Sequence, residues 1–415
     1  MMKRTSINIL KYILKRLAKL TVWRFQPEII AITGSVGKTS AKEAIFAALK
    51  NSYRVRKASE NFNNELGVPL TILGKWQKIE RPLSWFWLKA LVFSFLRLIF
   101  TPRAFYPDVL VLEYGASKPG DIKYLLEIAK PKIAVITAIG NTPVHVEFYE
   151  DVSGVAKEKS KLIEDLFSSG FVILNFDDKE VLAMKEKTRA KTITFGFSDG
   201  ADLKISSFEN RSENGKPLGV SFKLEYRGSF VPVVLRGVFG KPHAYAVAVG
   251  TLAGLIHGLN LVEAAEFISA NYQPAKRRAN LIFGIKNTYI IDDSYNASPL
   301  SMKAALEILG DLKAARKIAV LGDMLELGRY SVEAHMETGK EAAKSADILI
   351  TVGPRGKFIA EGAKNNGMSE HKILSFDTAE ELIPEIKKNI REKDLILVKA
   401  SRAVGLDKAV DEIKK

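Results

Sequence analysis

The chain has 415 residues, 62 basic against 47 acidic side chains for a formal net charge of +15, 47% hydrophobic residues and no cysteine. That size accommodates two or three domains with buried cores, and the composition excludes a mostly disordered or low-complexity chain. Without cysteine there is no disulfide, thiolate metal site or thiol nucleophile, so any metal must be held by oxygen or imidazole, while the positive balance favours anionic partners.

Residues 1–26 carry seven basic side chains and no acid, and Leu10, Ile13, Leu14, Leu17 and Leu20 recur at helical spacing. The pattern predicts a basic amphipathic helix. Lysines interrupt it too often for a signal peptide, so it is expected to be retained. Its apolar stripe has two possible destinations: anionic lipid headgroups, with Trp23 as an interfacial anchor, or the protein's own core. Residues 83–100 are almost continuously apolar, broken by two serines, Lys89 and Arg97. Eighteen residues with two interior cations suit an in-plane or re-entrant helix better than a membrane span. All four tryptophans, Trp23, Trp76, Trp85 and Trp87, fall in these two regions, as expected of side chains at headgroup level. An anionic membrane surface is therefore the expected partner, with a dimer interface or a core helix as the alternative.

After Pro27, the run Glu28–Thr33 reads as a buried strand, followed by Gly34-Ser-Val-Gly37-Lys38-Thr39-Ser40 and a helical pattern to Lys50. Strand, glycine loop and helix in this order form a phosphate cradle: backbone N–H groups turn toward a polyphosphate, Lys38 reaches its terminal groups and Thr39 can ligate Mg²⁺. The motif is the shorter G-x-x-G-K-T form, because Ile32 stands where the longer form has glycine.

The segments that follow carry a resemblance. Asn61-Phe-Asn63-Asn64-Glu-Leu-Gly-Val-Pro69, Glu113-Tyr-Gly115, His145 and Ala156-Lys-Glu-Lys159-Ser-Lys resemble, in order and spacing, motifs of the Mur ligases, in particular the branch that adds D-alanyl-D-alanine to a peptidoglycan precursor. The resemblance implies that Glu113 and His145 bind metal, that Lys159 is carbamylated and serves as a further ligand beside Thr39, and that Asn63 and Asn64 touch substrate. A carboxylate, an imidazole and a carbamate are chemically suited to hold a divalent cation against ATP phosphates. Asn175-Phe-Asp-Asp178 and Thr194-Phe-Gly196 resemble family landmarks that organise the fold. Gly240-Lys-Pro-His243 resembles the segment that contacts nucleotide, but Ala244 and Val247 replace its usual asparagines, and Ala138 replaces another.

Further on, Pro274-Ala-Lys-Arg-Arg278 and Asp292-Asp293-Ser-Tyr295-Asn296 are similar to the family's most specific motifs. By that similarity Arg278 reaches the γ-phosphate, Asp293 binds ribose, and Tyr295 and Asn296 shape the nucleotide and amino-substrate sides. Lys399-Ala-Ser401-Arg402 is similar to a K-G-S-R segment that faces the incoming dipeptide carboxylate, with Ala400 in place of glycine. Alternating strands and helices over the C-terminal third predict a doubly wound parallel sheet.

The expectation is an α/β chain with an N-terminal helix at 1–27, a central P-loop ATPase domain at 28–273 with an apolar insertion at 76–106, and a C-terminal Rossmann-like domain at 274–415. The resemblance implies an ATP- and Mg²⁺-dependent ligase that joins D-alanyl-D-alanine to a muramoyl-tripeptide through an acyl phosphate, with Lys38, His145, Lys159 and Arg278 catalytic and Gly34, Gly37, Thr39, Ser40, His243, Asp293 and Tyr295 on the nucleotide. Only 27 residues precede the strand that leads into the phosphate loop, where the family usually has a UDP-sugar domain, so a lipid-linked acceptor or another amino donor is an alternative, as is a non-catalytic nucleotide-dependent membrane protein. The expected location is cytoplasmic, peripheral at the inner membrane face. No nucleic-acid module is recognisable and none is expected as partner.

Overall fold

The structure, a computed structural model, describes residues 2–59, 62–77 and 85–415, with side chains from residue 6 onward. Asn61 of the asparagine-rich motif and Leu83 and Ser84 of the apolar segment lie outside the described residues. The first part of the chain runs α1 (Met2–Phe25), β1 (Glu28–Thr33), α2 (Lys38–Leu49), β2 (Val55–Lys57), α3 (Gly67–Leu73), α4 (Trp85–Phe100), β3 (Val109–Glu113), α5 (Asp121–Ile128), β4 (Ile133–Ile136), α6 (Val152–Glu164), β5 (Phe171–Asn175), α7 (Lys179–Leu182), β6 (Lys191–Gly196), β7 (Leu203–Glu213), β8 (Lys216–Tyr226), β9 (Ser229–Arg236), α8 (Lys241–Ile256) and α9 (Leu261–Asn271). Their strands form one sheet in the order β2-β3-β1-β4-β5-β6-β7-β8-β9. It is parallel through β7 and closes with the antiparallel β7-β8-β9 meander.

The central strands are apolar at nearly every position because both faces are covered. Along β3, Leu110 and Leu112 enter the core beneath α1, α3, α5 and α6, while Val109 and Val111 enter the core beneath α2, α8 and α9. The period-2 alternation thus assigns one strand to two separate cores. Strand β9 differs: Val231, Val233 and Leu235 point inward and their neighbours are exposed.

The second part runs β10 (Asn280–Phe283), β11 (Tyr289–Asp292), α10 (Pro299–Asp311), β12 (Lys317–Gly322), α11 (Ser331–Ser345), β13 (Ile348–Val352), α12 (Gly356–Asn365), β14 (Ile373–Phe376), α13 (Ala379–Asn389), β15 (Leu395–Lys399) and α14 (Asp407–Ile413). The sheet order is β10-β11-β15-β12-β13-β14, parallel except at the β10 edge. Helices cover both faces, with Leu395 and Leu397 of β15 in one core and Ile396 and Val398 in the other. The architecture is the expected α/β combination of a mostly parallel nucleotide-binding sheet and a doubly wound C-terminal sheet.

The N-terminal helix corrects the expectation that its apolar stripe lies on lipid. Leu14, Ala18 and Phe25 are buried in the first core, with Leu10, Leu17 and Val22 packed against it. Phe25 stacks on Tyr106 at 4.3 Å, and Lys11 and Lys15 pair with Glu65 and Glu127 of the central fold. The protein itself excludes water from Leu14, Ala18 and Phe25, which is the cheaper burial because the partner surface is already ordered, while Ile13 and Leu20 of the same stripe stay exposed. Trp87 likewise sits in the core rather than at an interface, and Trp76 is half-buried, while Trp23 and Trp85 are exposed.

Leu14→Ala should lower stability by about 2–5 kcal/mol through the cavity it opens, whereas Leu20→Ala on the exposed side of α1 should stay within about 0.5 kcal/mol. Urea unfolding of both variants checks this, and equal small effects would show that α1 is not docked.

Candidate active site

Strand β1 ends at Thr33 and α2 begins at Lys38, so Gly34–Gly37 form the turn between them. Gly34 has φ +143°, and a Cβ there would stand 2.1 Å from Thr137 Oγ1, so only glycine fits. Gly37 is left-handed at φ +91° and caps α2. The turn is pinned to the segment after β4: the Ser35 N–H donates to the Ala138 carbonyl at 2.6 Å, and Thr137 Oγ1 donates to the Val36 carbonyl at 2.6 Å. Asp178 holds that segment in turn, its Oδ2 accepting from the Ile139 and Gly140 N–H groups at 2.7 and 2.9 Å. The Asn175–Asp178 landmark therefore shapes the floor of the site from below.

Positive charge converges on this loop. Lys38 Nζ donates to the Gly34 carbonyl at 2.5 Å, and Lys159 Nζ, from the middle of α6, reaches the same oxygen at 3.3 Å. Lys159 is 2% exposed, and burial, reinforced by the charge of Lys38, holds its ammonium far below the usual lysine range. Lys38 is pressed down to about 8, first by burial and further by the charge of Arg278, against the pull of Glu113. Arg278 comes from the C-terminal part of the chain, so the two sheets meet over one anion-attracting point.

Thr39 Oγ1 donates to Glu113 Oε2 at 3.2 Å, which brings two of the expected metal ligands together as a hard-oxygen pair at the end of β3. Sequence reasoning missed Lys42, which is buried and pairs with Glu113 Oε1 at 2.9 Å. Burial works to raise the Glu113 carboxyl, but Lys42, with Lys38 and Arg278 behind it, outweighs this and holds it low. The signal was present, since Lys42 lies one helical turn beyond Lys38 on the same face of α2. His145 is engaged elsewhere: its Nδ1 lies 2.6 Å from Glu326 Oε2 of the C-terminal part, and both residues adopt left-handed backbones, φ 69° and 64°.

His243, expected on the nucleotide, is buried with both ring nitrogens in use. Nε2 meets the Arg278 carbonyl at 3.0 Å and Nδ1 meets the Tyr272 hydroxyl at 2.8 Å. A carbonyl only accepts, so Nε2 carries the proton and Nδ1 accepts from Tyr272; burial lowers the ring's pKa and keeps it neutral. His243 is thus a positioning residue for Arg278. The turn is strained on both sides, with Arg277 at φ 62° and Ala279 at φ 51°, and the Ala279 N–H donates to Asp293 Oδ1 at 3.1 Å. Asp293 also forms a buried ion pair with Lys399, whose Nζ donates to the Asn296 carbonyl at 3.0 Å. In this structure the Asp293 carboxylate braces the Arg278 turn, and Lys399 is buried against it.

The remaining expected residues divide similarly. Arg278 and Arg402 flank the Tyr295 ring, 4.1 and 5.5 Å from its centroid, and Arg402 is exposed. Ser401 is buried and accepts from the Leu325 N–H at 2.9 Å. Asn64 Oδ1 caps α3 by accepting from the Leu66 and Gly67 N–H groups at 3.1 and 3.0 Å, while the Asn63 carbonyl accepts from Gly115 beside Glu113 at 2.8 Å. Ser40 is buried at the first turn of α2, next to Tyr272. Beside the loop lies a cleft of about 850 Å³ bounded by Gly37, Ala138 and Tyr245 on one side and by Leu300, Lys303 and Tyr330 on the other. That volume suits a nucleoside. Ala244 and Val247 are fully buried behind it, so these two positions present nothing to a base, while Tyr245 lines the cleft and donates to Asp177 Oδ2 at 2.7 Å.

Residues 96–239 match the Mur ligase middle domain and residues 277–402 the Mur ligase glutamate ligase domain. The chain is 31% identical over 404 residues to the UDP-N-acetylmuramoyl-tripeptide--D-alanyl-D-alanine ligase of Bacillus subtilis, covering 96% of this chain and 79% of that protein. The Escherichia coli protein of the same name is 29% identical, covering 93% of this chain and 77% of its own length. The crystal structure of MurF ligase from Thermotoga maritima in complex with ADP superposes with a TM-score of 0.77 at 26% identity, covering 97% of this chain and 83% of that chain.

Gly34→Ala should weaken ATP binding at least about tenfold, because the loop must shift to admit the Cβ; calorimetric titration returning an unchanged affinity would remove the loop from the site. Acidification should also be felt. The unfolded chain binds a proton at His243 near pH 6.5 while the folded chain resists it, so stability should be full above that pH and fall as pH drops through the lower folded value. Thermal melts across this range should show a shallower acid-side loss in His243→Gln than in the unsubstituted chain.

Proposed function

The chain belongs to the Mur ligase family, and from that premise we propose that it is an ATP-dependent, ADP-forming ligase of peptidoglycan precursor synthesis that joins D-alanyl-D-alanine to a muramoyl-tripeptide. The observation that carries this reading is the meeting of Lys38, Lys159 and Arg278 around the Gly34 loop. Residues 28–273 serve as the nucleotide-binding unit and 274–415 as the unit that brings the amine.

The loop N–H groups and the start of α2 receive the phosphates, Lys38 faces the terminal phosphates, and Arg278 lies where charge develops as the γ-phosphoryl group leaves. The acceptor carboxylate attacks that phosphorus, the bond to ADP breaks, and an acyl phosphate forms. The dipeptide amine then attacks the acyl carbon, loses a proton and expels phosphate. Arg402, exposed beside Tyr295, is the group available to the dipeptide carboxylate. Thr39 and Glu113 supply the oxygen donors for Mg²⁺, which when bound neutralises phosphate oxygens. His145, paired with Glu326 in this structure, would join them as a further ligand only on leaving that partner.

The surroundings of Lys159 support its carbamylation. An amine held neutral by burial can attack CO₂, forming an N–C bond and releasing a proton, and the carbamate anion offsets the neighbouring Lys38. A second reading of the acceptor rests on the exposed apolar faces of α1 and α4: the enzyme sits at the cytoplasmic surface of an anionic membrane, and its muramoyl acceptor is lipid-linked. Among the described residues no helix is long and apolar enough to cross a membrane.

Phosphate release with ATP, Mg²⁺ and bicarbonate should require both a muramoyl-tripeptide and D-alanyl-D-alanine, and fall at least about a hundredfold in Lys38→Ala. Supplying UDP-linked and lipid-linked acceptors in parallel identifies the true one, and release independent of the dipeptide would refute the ligase. Carbon-13 bicarbonate should give a carbamate resonance that is lost in Lys159→Ala; its absence in the unsubstituted chain would mean that Lys159 acts as an amine.

A further inference from the structure

Helix α4 has no acidic residue and is buried only at Trp87, Ala90 and Ser94. Its sixteen residues span about 24 Å at 1.5 Å per residue, less than a bilayer core. The face left outside is apolar apart from Lys89, from Trp85, 76% exposed, through Val92, Phe95 and Ile99 to Phe100, 73% exposed. The exposed end of α1 continues this surface. Arg24 donates to the carbonyls of Ile99 and Thr101 at 3.0 and 3.3 Å, which fixes the end of α1, with Trp23 74% exposed, against the end of α4. Helix α1 is likewise free of acid.

Beside this surface runs a groove of about 810 Å³ whose cations are Lys75, Lys89 and Arg97 and whose walls include Phe93, Phe100 and Phe105. Among the described residues no acidic side chain lines it, and none of these three cations forms a salt bridge with a carboxylate. Arg97 lies over the Phe93 ring at 5.7 Å, and its charge helps to hold the guanidinium of Arg56 behind it low, at about 10, after burial. Three cations set among exposed aromatic rings complement a ligand that is anionic at one end and hydrocarbon at the other.

We propose that this groove seats the phosphate headgroup of an anionic bilayer phospholipid, with the outer faces of α1 and α4 lying in the lipid interface beside it. The proposal rests on the membrane-surface reading above and deepens it by naming the partner and the residues that select it. Charge selection and apolar insertion are then separable, because the cations lie in the groove and Trp23, Trp85 and Val92 lie outside its walls.

Co-sedimentation of the full chain with vesicles of phosphatidylglycerol and phosphatidylcholine, against phosphatidylcholine alone, tests both layers. The expected result is at least about a tenfold preference for the anionic vesicles that declines with added salt. Lys75→Glu/Lys89→Glu, two exposed positions, should abolish the preference while leaving ATP binding and the circular dichroism spectrum unchanged. Trp85→Ala/Val92→Ser should weaken binding to both vesicle types. A charge-reversed variant that keeps the preference overturns the groove and leaves the membrane reading standing. An unsubstituted chain that sediments with neither vesicle overturns the membrane reading itself. Displacement by micromolar glycerol phosphate would assign the groove to a free phosphate compound, and a dimer in sedimentation velocity that Trp85→Ala/Val92→Ser dissociates would assign the apolar face to a second copy; either result overturns the proposal.

Discussion

Two lysine side chains that share one carbonyl oxygen, with an arginine from the far part of the chain close enough to act on one of them, govern the rest of this structure. Gathering like charges in a poorly solvated place is unfavourable unless an anion arrives or a proton leaves. Both responses are built in. The loop N–H groups and the cleft beside them suit a polyphosphate, and burial beside Lys38 holds the Lys159 ammonium far below the usual lysine range. Lys42 plays the opposite part, holding Glu113 ionised in the core so that a carboxylate is ready beside Thr39.

The arrangement depends on how Arg278 is delivered. Its turn is strained at the residues on either side, and the strain is carried by contacts from both parts of the chain: His243 and Tyr272 from the first sheet's helices, and Asp293 with Lys399 from the second. A neutral histidine suits this task because it donates to a carbonyl and accepts from a hydroxyl at once. The His145–Glu326 pair makes a second link between the two parts. Loss of either link would free the C-terminal part to move relative to the loop, which is the motion a two-step ligation between separately bound substrates needs.

The two hydrophobic segments near the N-terminus show how one pattern divides between core and surface. Leu14 and Trp87 went inward while Trp23 and Trp85, of the same chemical kind and in the same helices, stayed outside. Periodicity identifies an apolar stripe but not its partner, and α1 satisfies its main stripe on the central fold while retaining a second, basic and aromatic face. What that face meets depends on charge complementarity and on the neighbouring groove, neither of which periodicity contains.

Much of the fold and the phosphate loop was legible in the chain, because buried parallel strands leave continuous apolar runs and a Gly-Lys-Thr turn between strand and helix has few other uses. Gly34, Lys38 and Thr39 stand where local order put them, and the ordered motifs brought Glu113, Lys159 and Arg278 into view. Partnership was the part that only the tertiary structure decided. Asp293 and Lys399 neutralise each other, Asn64 caps a helix, His243 holds the Arg278 carbonyl, and Lys42 stands on the carboxylate expected to meet metal. A side chain's chemical type follows from its own sequence position, but its pKa and availability follow from groups distant in the chain, because burial strips away the water that would otherwise screen them.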